Sequence, residues 1–275
     1  MCGFVGWINV DRQKPVDADI LQMMNNQIAH RGPDDAGYFL HENIGLAHRR
    51  LSIIDTSQRG HQPLFNEDGT VGVVFNGEIY NYQELTKELQ KAGHRFASHT
   101  DTEAIVHAYE EWGTECIGRL DGMFSLALID LRQHRLILAK DRFGKKPLYY
   151  TLQNGVFLFG SELKAFFPHP SFEKRLDLAS VSKYLAYEYV PTPYSIFQQC
   201  HKLPRASYLV LNTKELTSLP SPTEYWQIHY NPKLTLSEQE AEEELDRLFH
   251  EAVRKRLMSD VPLGVFLSGG VDSSA

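Results

Sequence analysis

Cys2 stands one residue from the start of the chain, in the run Met1-Cys2-Gly3-Phe4-Val5-Gly6. Cys2 and Gly3 are small enough for an aminopeptidase to accept, and loss of Met1 would put a thiol and a free α-amine on one residue. The amine titrates near ~7.7–8.0 and the thiol near ~8.5, so a base and a nucleophile are matched around neutral pH. That pairing activates a side-chain nucleophile without a histidine. A cysteine at a frayed terminus is the plainer reading, and position 2 by itself does not separate the two.

Other residues could complete such a centre. The apolar run Val71-Gly72-Val73-Val74-Phe75 leads into Asn76-Gly77-Glu78. An amide side chain beside a glycine N–H can supply two donors to an oxyanion. The same Asn-Gly pair marks a sharp turn, which is expected to end the strand there. In His48-Arg49-Arg50-Leu51-Ser52-Ile53-Ile54-Asp55, alternation along a strand end turns only one arginine inward. An inward guanidinium calls for a carboxylate, from the protein or from a ligand. Asp101, at a helix start, can hold an ammonium or simply sit near the cap. Arg31-Gly32-Pro33-Asp34 reads as a turn that ends the preceding helix. Near the other end, the apolar residues 261–267 read as a strand running into Ser268-Gly269-Gly270-Val271-Asp272-Ser273-Ser274. Two glycines, several hydroxyls and a helix start make a phosphate nest, although the spacing is not that of G-x-x-x-x-G-K-[ST].

These residues need elements to carry them. Residues 71–75 form a continuous apolar run, as in a strand covered on both faces. Asn81 with Glu84, and Thr100 with Glu103, read as capping boxes. The first opens a helix with the stripe Leu85, Leu89, Ala92 that ends at Gly93; the second opens one that ends at Gly113. Strands are expected over 123–129, 135–139, 147–152 and 156–160, so the pattern suggests a layered sandwich. Prolines recur between 168 and 226, where an irregular connection with one helix near 178–187 is expected. Ser237 and Glu240 then cap a helix with acidic residues early and basic ones late, the order that suits its dipole.

Composition narrows the function further. The net charge is 28 − 35 = −7 and no basic stripe exists, which excludes nucleic acid as a natural partner. No stretch approaches ~18 uncharged apolar residues, so no membrane partner is expected. No secretory signal opens the chain. Cys2, Cys116 and Cys200 are few, odd in number and far apart, which argues for a reducing, cytoplasmic setting and against disulfides. No Cys/His cluster has zinc-ligand spacing, and His30, His41 and His48 are expected to be structural or surface groups.

In order along the chain stand Cys2-Gly3, Arg31-Gly32-Pro33-Asp34, Arg50-Leu51-Ser52-Ile53-Ile54-Asp55, Asn76-Gly77-Glu78-Ile79-Tyr80-Asn81 and Asp101. Asp141-Arg142-Phe143-Gly144 with Pro147-Leu148-Tyr149-Tyr150, Ser161-Glu162-Leu163-Lys164 and the 268–274 segment continue the series. Together they resemble the glutamine-hydrolysing asparagine synthetase family, in which a class II glutamine amidotransferase domain is joined to an ATP-pyrophosphatase synthetase domain. The resemblance covers nearly the whole chain. It implies an α+β fold: a four-layer αββα N-terminal-nucleophile sandwich over residues 1–215. A linker and the first elements of a truncated α/β ATP-pyrophosphatase domain would follow over 216–275.

The resemblance also implies roles. Cys2 would attack the glutamine amide, with Asn76 and the Gly77 N–H as oxyanion hole. Arg50 would pair with the glutamine α-carboxylate, backbone from Leu51, Ser52, Ile53 and Ile54 would line the pocket, and Glu78 and Asp101 would hold the α-ammonium. Leu267, Ser268, Gly269, Gly270, Val271, Asp272 and Ser273 would bind ATP and its pyrophosphate. There ATP with Mg2+ would adenylate aspartate for displacement by ammonia; the glutaminase half would need no cofactor and no metal. Substrates would be glutamine, aspartate and ATP, and a homodimer is a family expectation. Because the chain stops at Ala275, residues 216–275 are not expected to close a core of their own, so glutaminase activity alone is expected. Three alternatives stand beside this reading: another carboxylate acceptor such as a sugar acid or a peptide or β-lactam precursor, a non-catalytic glutamine-binding module, and self-processing of a propeptide.

Overall fold

Successive side chains on a strand point to opposite faces, so strands that are apolar at consecutive positions must be covered on both sides. That condition sets the architecture of residues 1–274, described by a computed structural model. One antiparallel sheet contains β1 (Gly3–Asn9), β2 (Asp35–His41), β3 (Ile44–Arg50), β8 (Tyr149–Gln153), β9 (Val156–Gly160) and β10 (Cys200–Lys202), in the order β10-β8-β9-β1-β3-β2. The second contains β4 (Leu64–Phe65), β5 (Val71–Ile79), β6 (Gly122–Asp130), β7 (Arg135–Lys140), β11 (Ser207–Asn212) and β12 (Thr223–Glu224), in the order β12-β11-β7-β6-β5-β4. The helices are α1 (Ala18–Asn26), α2 (Tyr82–Ala92), α3 (Asp101–Trp112), α4 (Cys116–Arg119), α5 (Leu178–Tyr187), α6 (Glu238–Lys255) and α7 (Val271–Ser274).

Alternation sorts the apolar side chains into three cores. Phe4 and Ile8 of β1 meet Val74, Ala127, Leu136 and Leu138 between the sheets. Val5 and Trp7 of the same strand point the other way, onto Leu21 and Met24 of α1. Val73 and Phe75 of β5 face α2 and α3 through Leu85, Leu89, Ile105 and Tyr109. The layers are therefore α, β, β, α, and the expected sandwich forms. Among the described residues no helix is long and apolar enough to cross a membrane.

Several local expectations are corrected. Asn76-Gly77-Glu78 is not a turn: β5 runs on to Ile79, with these residues opposite Ser125, Phe124 and Met123 of β6. Gly77 is needed for close approach, since a Cβ there would lie 2.2 Å from the Met123 carbonyl oxygen. Asn81 does not cap α2 through its side chain; its amide donates to Arg119 O (3.0 Å) and accepts from Asp121 N–H (2.9 Å), tying the chain across β5–β6. Thr100 does cap α3, accepting from Glu103 N–H at 3.1 Å, but Glu103 turns to the Ala97 and Ser98 N–H groups, each at 2.7 Å. The proline-rich stretch supplies α5 as expected and also β10, β11 and β12, because the run Ser207-Tyr208-Leu209-Val210-Leu211-Asn212 finds an open partner in β7. Both halves of the Ser237–Glu240 capping box form on α6. Residues 261–267 form no strand: a strand exists only through pairing, and among the described residues nothing pairs with them.

The layer between the sheets carries much of the stability. Phe159→Ala, at a fully buried position in that layer, is expected to lower unfolding free energy by about 3–5 kcal/mol in urea titrations. A loss under ~1 kcal/mol would mean that this layer does not hold the sheets together.

Candidate functional site

Cys2 enters the central strand of the first sheet, where Gly3 pairs with Arg49 and Val5 with Gly160. Three motifs hold this end of β1. Arg31 donates from Nε to the Cys2 carbonyl at 2.8 Å and from a terminal nitrogen to Glu162 at 2.9 Å. Ser161 Oγ accepts from Phe4 N–H at 3.1 Å. Asp34 accepts from Ser52 N–H at 2.8 Å, while its own N–H donates to Arg50 O at 3.0 Å. The thiol sulfur accepts from Leu51 N–H at 3.3 Å. Burial pushes the thiol above its ordinary pKa, against the opposing Leu51 N–H. With Met1 attached, the Cys2 nitrogen is a peptide N–H and no base; the free amine sits on Met1, where burial lowers its pKa.

A cavity of about 340 Å³ opens beside the thiol. Arg50 reaches it from the end of β3, and Arg49 turns away to the carbonyl of Asn25 and the side chain of Asn26, the alternation expected of a strand. Among the described residues the Arg50 guanidinium meets no carboxylate; it donates to the carbonyls of Ile54 (3.3 Å), Asp55 and Ser57 (2.8 Å), so it organises the 51–57 loop around itself. Gly60 makes room for it, since a Cβ there would lie 1.8 Å from a guanidinium nitrogen. Leu51, Ile53 and Ile54 line the cavity, whereas Ser52 does not.

β5 supplies the opposite wall. The Asn76 side-chain NH2 is buried without a partner among the described residues, and Asn76 and Gly77 both line the cavity beside Cys2. Glu78 follows, its pKa raised by burial against the pull of Lys146. Asp101, at the first turn of α3, accepts from Ile79 N–H at 3.0 Å. Burial, reinforced by Glu78, pushes its carboxyl up to about 7. Beneath the site His48 bridges the sheets, its ring bonded to Phe75 O at 3.0 Å; burial lowers its pKa to about 3 and keeps it neutral, a structural group.

Gly60, Gln62, Thr102 and Lys146 line the cavity and escaped the sequence reading. Gln62 accepts from Phe75 N–H at 2.7 Å and donates to Thr102 at 3.2 Å, joining β5 to α3. Lys146 is buried and its pKa is lowered by that burial. Its position follows from Asp141, whose carboxylate accepts from the N–H groups of Phe124, Phe143, Lys145 and Lys146 and folds the turn that presents the lysine. The only signal for Lys146 was its place between the Asp141 turn and Pro147.

Leu267, Ser268, Gly269, Gly270, Val271, Asp272 and Ser273 stand apart from this cavity; all are exposed except the half-buried Ser273. Ser268 and Ser273 hydroxyls lie 2.8 Å apart, and Gly269 has φ +78°, so the loop keeps its hydroxyls and backbone together at the start of α7. The fold also gathers three possible metal ligands that no sequence spacing suggested: His94, His107 and Glu110 bring ligand atoms within 4.8 Å of one another. Both ring nitrogens of His107 already face carboxylates, Glu110 at 2.9 Å and Glu103 at 3.6 Å. These two acids outweigh burial and raise the His107 pKa, so the cluster reads as an ion-paired imidazolium that fastens α3.

Residues 1–226 match the family described as a glutamine amidotransferase domain, and residues 244–275 match asparagine synthase. The chain is 35% identical over its whole length to asparagine synthetase [glutamine-hydrolyzing] 3 of Bacillus subtilis, covering 44% of that protein. It is 36% identical to asparagine synthetase [glutamine-hydrolyzing] of Zea mays, covering 41% of it. Amidase chry2 of Gibberella zeae is 34% identical, with 42% covered. The chain thus spans less than half the length of these curated relatives. Among solved structures, glutamine phosphoribosylpyrophosphate amidotransferase from B. subtilis superposes with a TM-score of 0.57 at 17% identity, over 77% of this chain and 47% of that one. At that identity the likeness concerns the fold.

The buried Asp101 has a measurable consequence. Its folded pKa of about 7 lies above the unfolded 3.8, so its contribution to stability is present at low pH and lost as pH rises through about 7. Asp101→Asn keeps an acceptor for Ile79 N–H and removes the charge; in urea melts it should be more stable than wild type by roughly 1–3 kcal/mol at pH 8, with the gain vanishing toward pH 4. Parallel pH profiles for the two proteins would contradict a raised Asp101.

Proposed function

The chain belongs to the glutamine amidotransferase family, and on that premise we propose that its cavity hydrolyses the side-chain amide of glutamine. The observation that carries the reading is the set of groups on one cavity: a thiol, an unpartnered buried amide donor, a guanidinium on one wall and two carboxylates on the other. A free amino acid needs that division of charge, with Arg50 for its α-carboxylate and Asp101 and Glu78 for its α-ammonium. Backbone of Leu51, Ile53 and Ile54 lines the way between, and Ser52 holds that loop through Asp34.

Once Met1 is removed, the Cys2 α-amine takes the thiol proton as sulfur attacks the amide carbon. The Asn76 NH2 and the Gly77 N–H donate to the oxyanion. Collapse breaks the C–N bond, the proton passes from the amine to the leaving nitrogen, and ammonia departs. Water then attacks the thioester and releases glutamate. The raised thiol pKa belongs to the chain with Met1 attached, in which the Cys2 nitrogen is a peptide N–H.

We extend the proposal to the rest of the protein. Residues 1–215 form the glutaminase unit and 216–275 begin a synthetase unit, with 216–226 still running along the first through β12 and a 2.9 Å bond from the Tyr225 hydroxyl to Lys140 O. The ammonia serves an ATP-dependent amidation of aspartate to asparagine, with pyrophosphate held by residues 268–273 and Leu267 against the nucleotide. Hydroxyls and a glycine with positive φ suit phosphate oxygens, and Asp272 is the one carboxylate in the loop available to a phosphate-bound Mg2+. When bound, the nucleotide supplies the leaving group that activates the acceptor carboxylate. Three free cysteines agree with a cytoplasmic setting, and a homodimer is part of the proposal.

The test is glutamate and ammonia release from glutamine, with intact mass to follow loss of Met1. Cys2→Ala should abolish release, and Asn76→Ala should lower kcat by roughly 10²–10³ with little change in KM. A folded, Met1-free wild type that releases neither product would overturn the reading. For the synthetase unit, the intact protein should form asparagine and AMP from aspartate, ATP and glutamine. Failure with aspartate but turnover with another carboxylate would replace the acceptor.

A further inference from the structure

We propose that Asp260 is a positioning residue that ties the segment after α6 to the glutamine pocket, acting on Arg50 through Asp55; the inference rests on the glutaminase reading above. Residues 255–260 contact the end of β5 and its neighbour Asp121 on one side and the 51–57 loop on the other. On one side Lys255 Nζ lies 3.3 Å from Asp121, and the Arg256 guanidinium sits 4.9 Å from the centre of the Tyr80 ring. Tyr80 directly follows Ile79, the residue whose N–H is bonded to Asp101. On the other side Asp260 makes two bonds to one loop: its N–H donates to Ile53 O at 2.9 Å, and its carboxylate accepts from Asp55 N–H at 2.6 Å.

That loop is the one wrapped around Arg50. Asp55 holds a φ of +50°, a backbone conformation that a non-glycine residue keeps only when its surroundings fix it. Its carboxylate is engaged with Ser57 N–H at 3.1 Å and His99 N–H at 3.3 Å, and its carbonyl accepts from Arg50. What remains is the Asp55 N–H, and Asp260 takes it. The bonds run in sequence from the Asp260 carboxylate to the Asp55 N–H, and from the Asp55 carbonyl to the guanidinium that faces the glutamine carboxylate. A charged acceptor makes the first bond one of the stronger kind. Neither Cys2 nor Asn76 bonds to Asp55 or Asp260, so binding of glutamine should feel Asp260 more than the bond-breaking step does.

The prediction is a split between KM and kcat. In the intact protein, Asp260→Ala should raise KM for glutamine roughly tenfold, the worth of one charge-assisted bond, and leave the glutaminase kcat within about twofold. Asp260→Asn retains an oxygen acceptor for the Asp55 N–H and should bring KM back to within about threefold of wild type. Lys255→Ala, which loses only exposed ion pairs to Asp121 and Glu251, should leave KM unchanged. An unchanged KM in a folded Asp260→Ala protein with active wild type would overturn the proposal and leave the glutaminase reading standing. So would a fall in kcat that Asp260→Asn does not restore. Inactive wild type would remove the glutaminase reading, and this inference with it.

Discussion

Bonds from residues far apart in the sequence fix Cys2 at the start of β1, and the cavity is built around that anchorage. The strand after Cys2 lies between β3 and β9, away from either edge of its sheet. Its carbonyl is gripped by Arg31, its next amides by β3 and Ser161, and its sulfur by the Leu51 N–H. Arg31 is in turn held by Glu162 and sits against Gly3, where only a glycine leaves it room. Residues far apart in sequence thus converge on one short stretch of β1.

The cavity, by contrast, is electrostatically ill at ease. Burial raises Cys2, Glu78 and Asp101 and lowers Lys146, so each charged group is disfavoured in the state it would need in order to meet an ionic ligand. Arg50 is the exception, satisfied by three carbonyls of its own loop. Perturbation in both directions within one cavity is a mark of a site prepared for something other than stability. A zwitterion entering it would find opposite charges already separated, and would supply the partners that the protein withholds.

Much of this was legible in the residues. Apolar positions at every step of 71–75 called for cover on both faces, and the alternation of Arg49 and Arg50 turned one guanidinium inward. The motif residues were legible as members of a series, although the reasons for some of them appear only in three dimensions: Asp141 gathers four amides, and Asp34 latches the 51–57 loop. Asn76-Gly77 misled because a local turn signal yielded to nine paired residues between β5 and β6. Lys146 and Gln62 were invisible for a related cause, since their positions depend on contacts across the fold and not on any periodicity near them. Residues 261–267 carry a strand's composition without a strand's neighbour, and composition alone does not form a sheet.

The pairing of β1 with β9 has a consequence for synthesis. Val5 meets Gly160 and Phe4 bonds to Ser161, so the strand behind Cys2 is incomplete until some 157 further residues have been made. At ribosomal speeds that interval is on the order of ten seconds. Through it β1 has β3 beside it but lacks its second neighbour, so one side of the strand stays unpaired. The strand that carries Cys2 therefore becomes an interior strand only when a distant part of the chain reaches it.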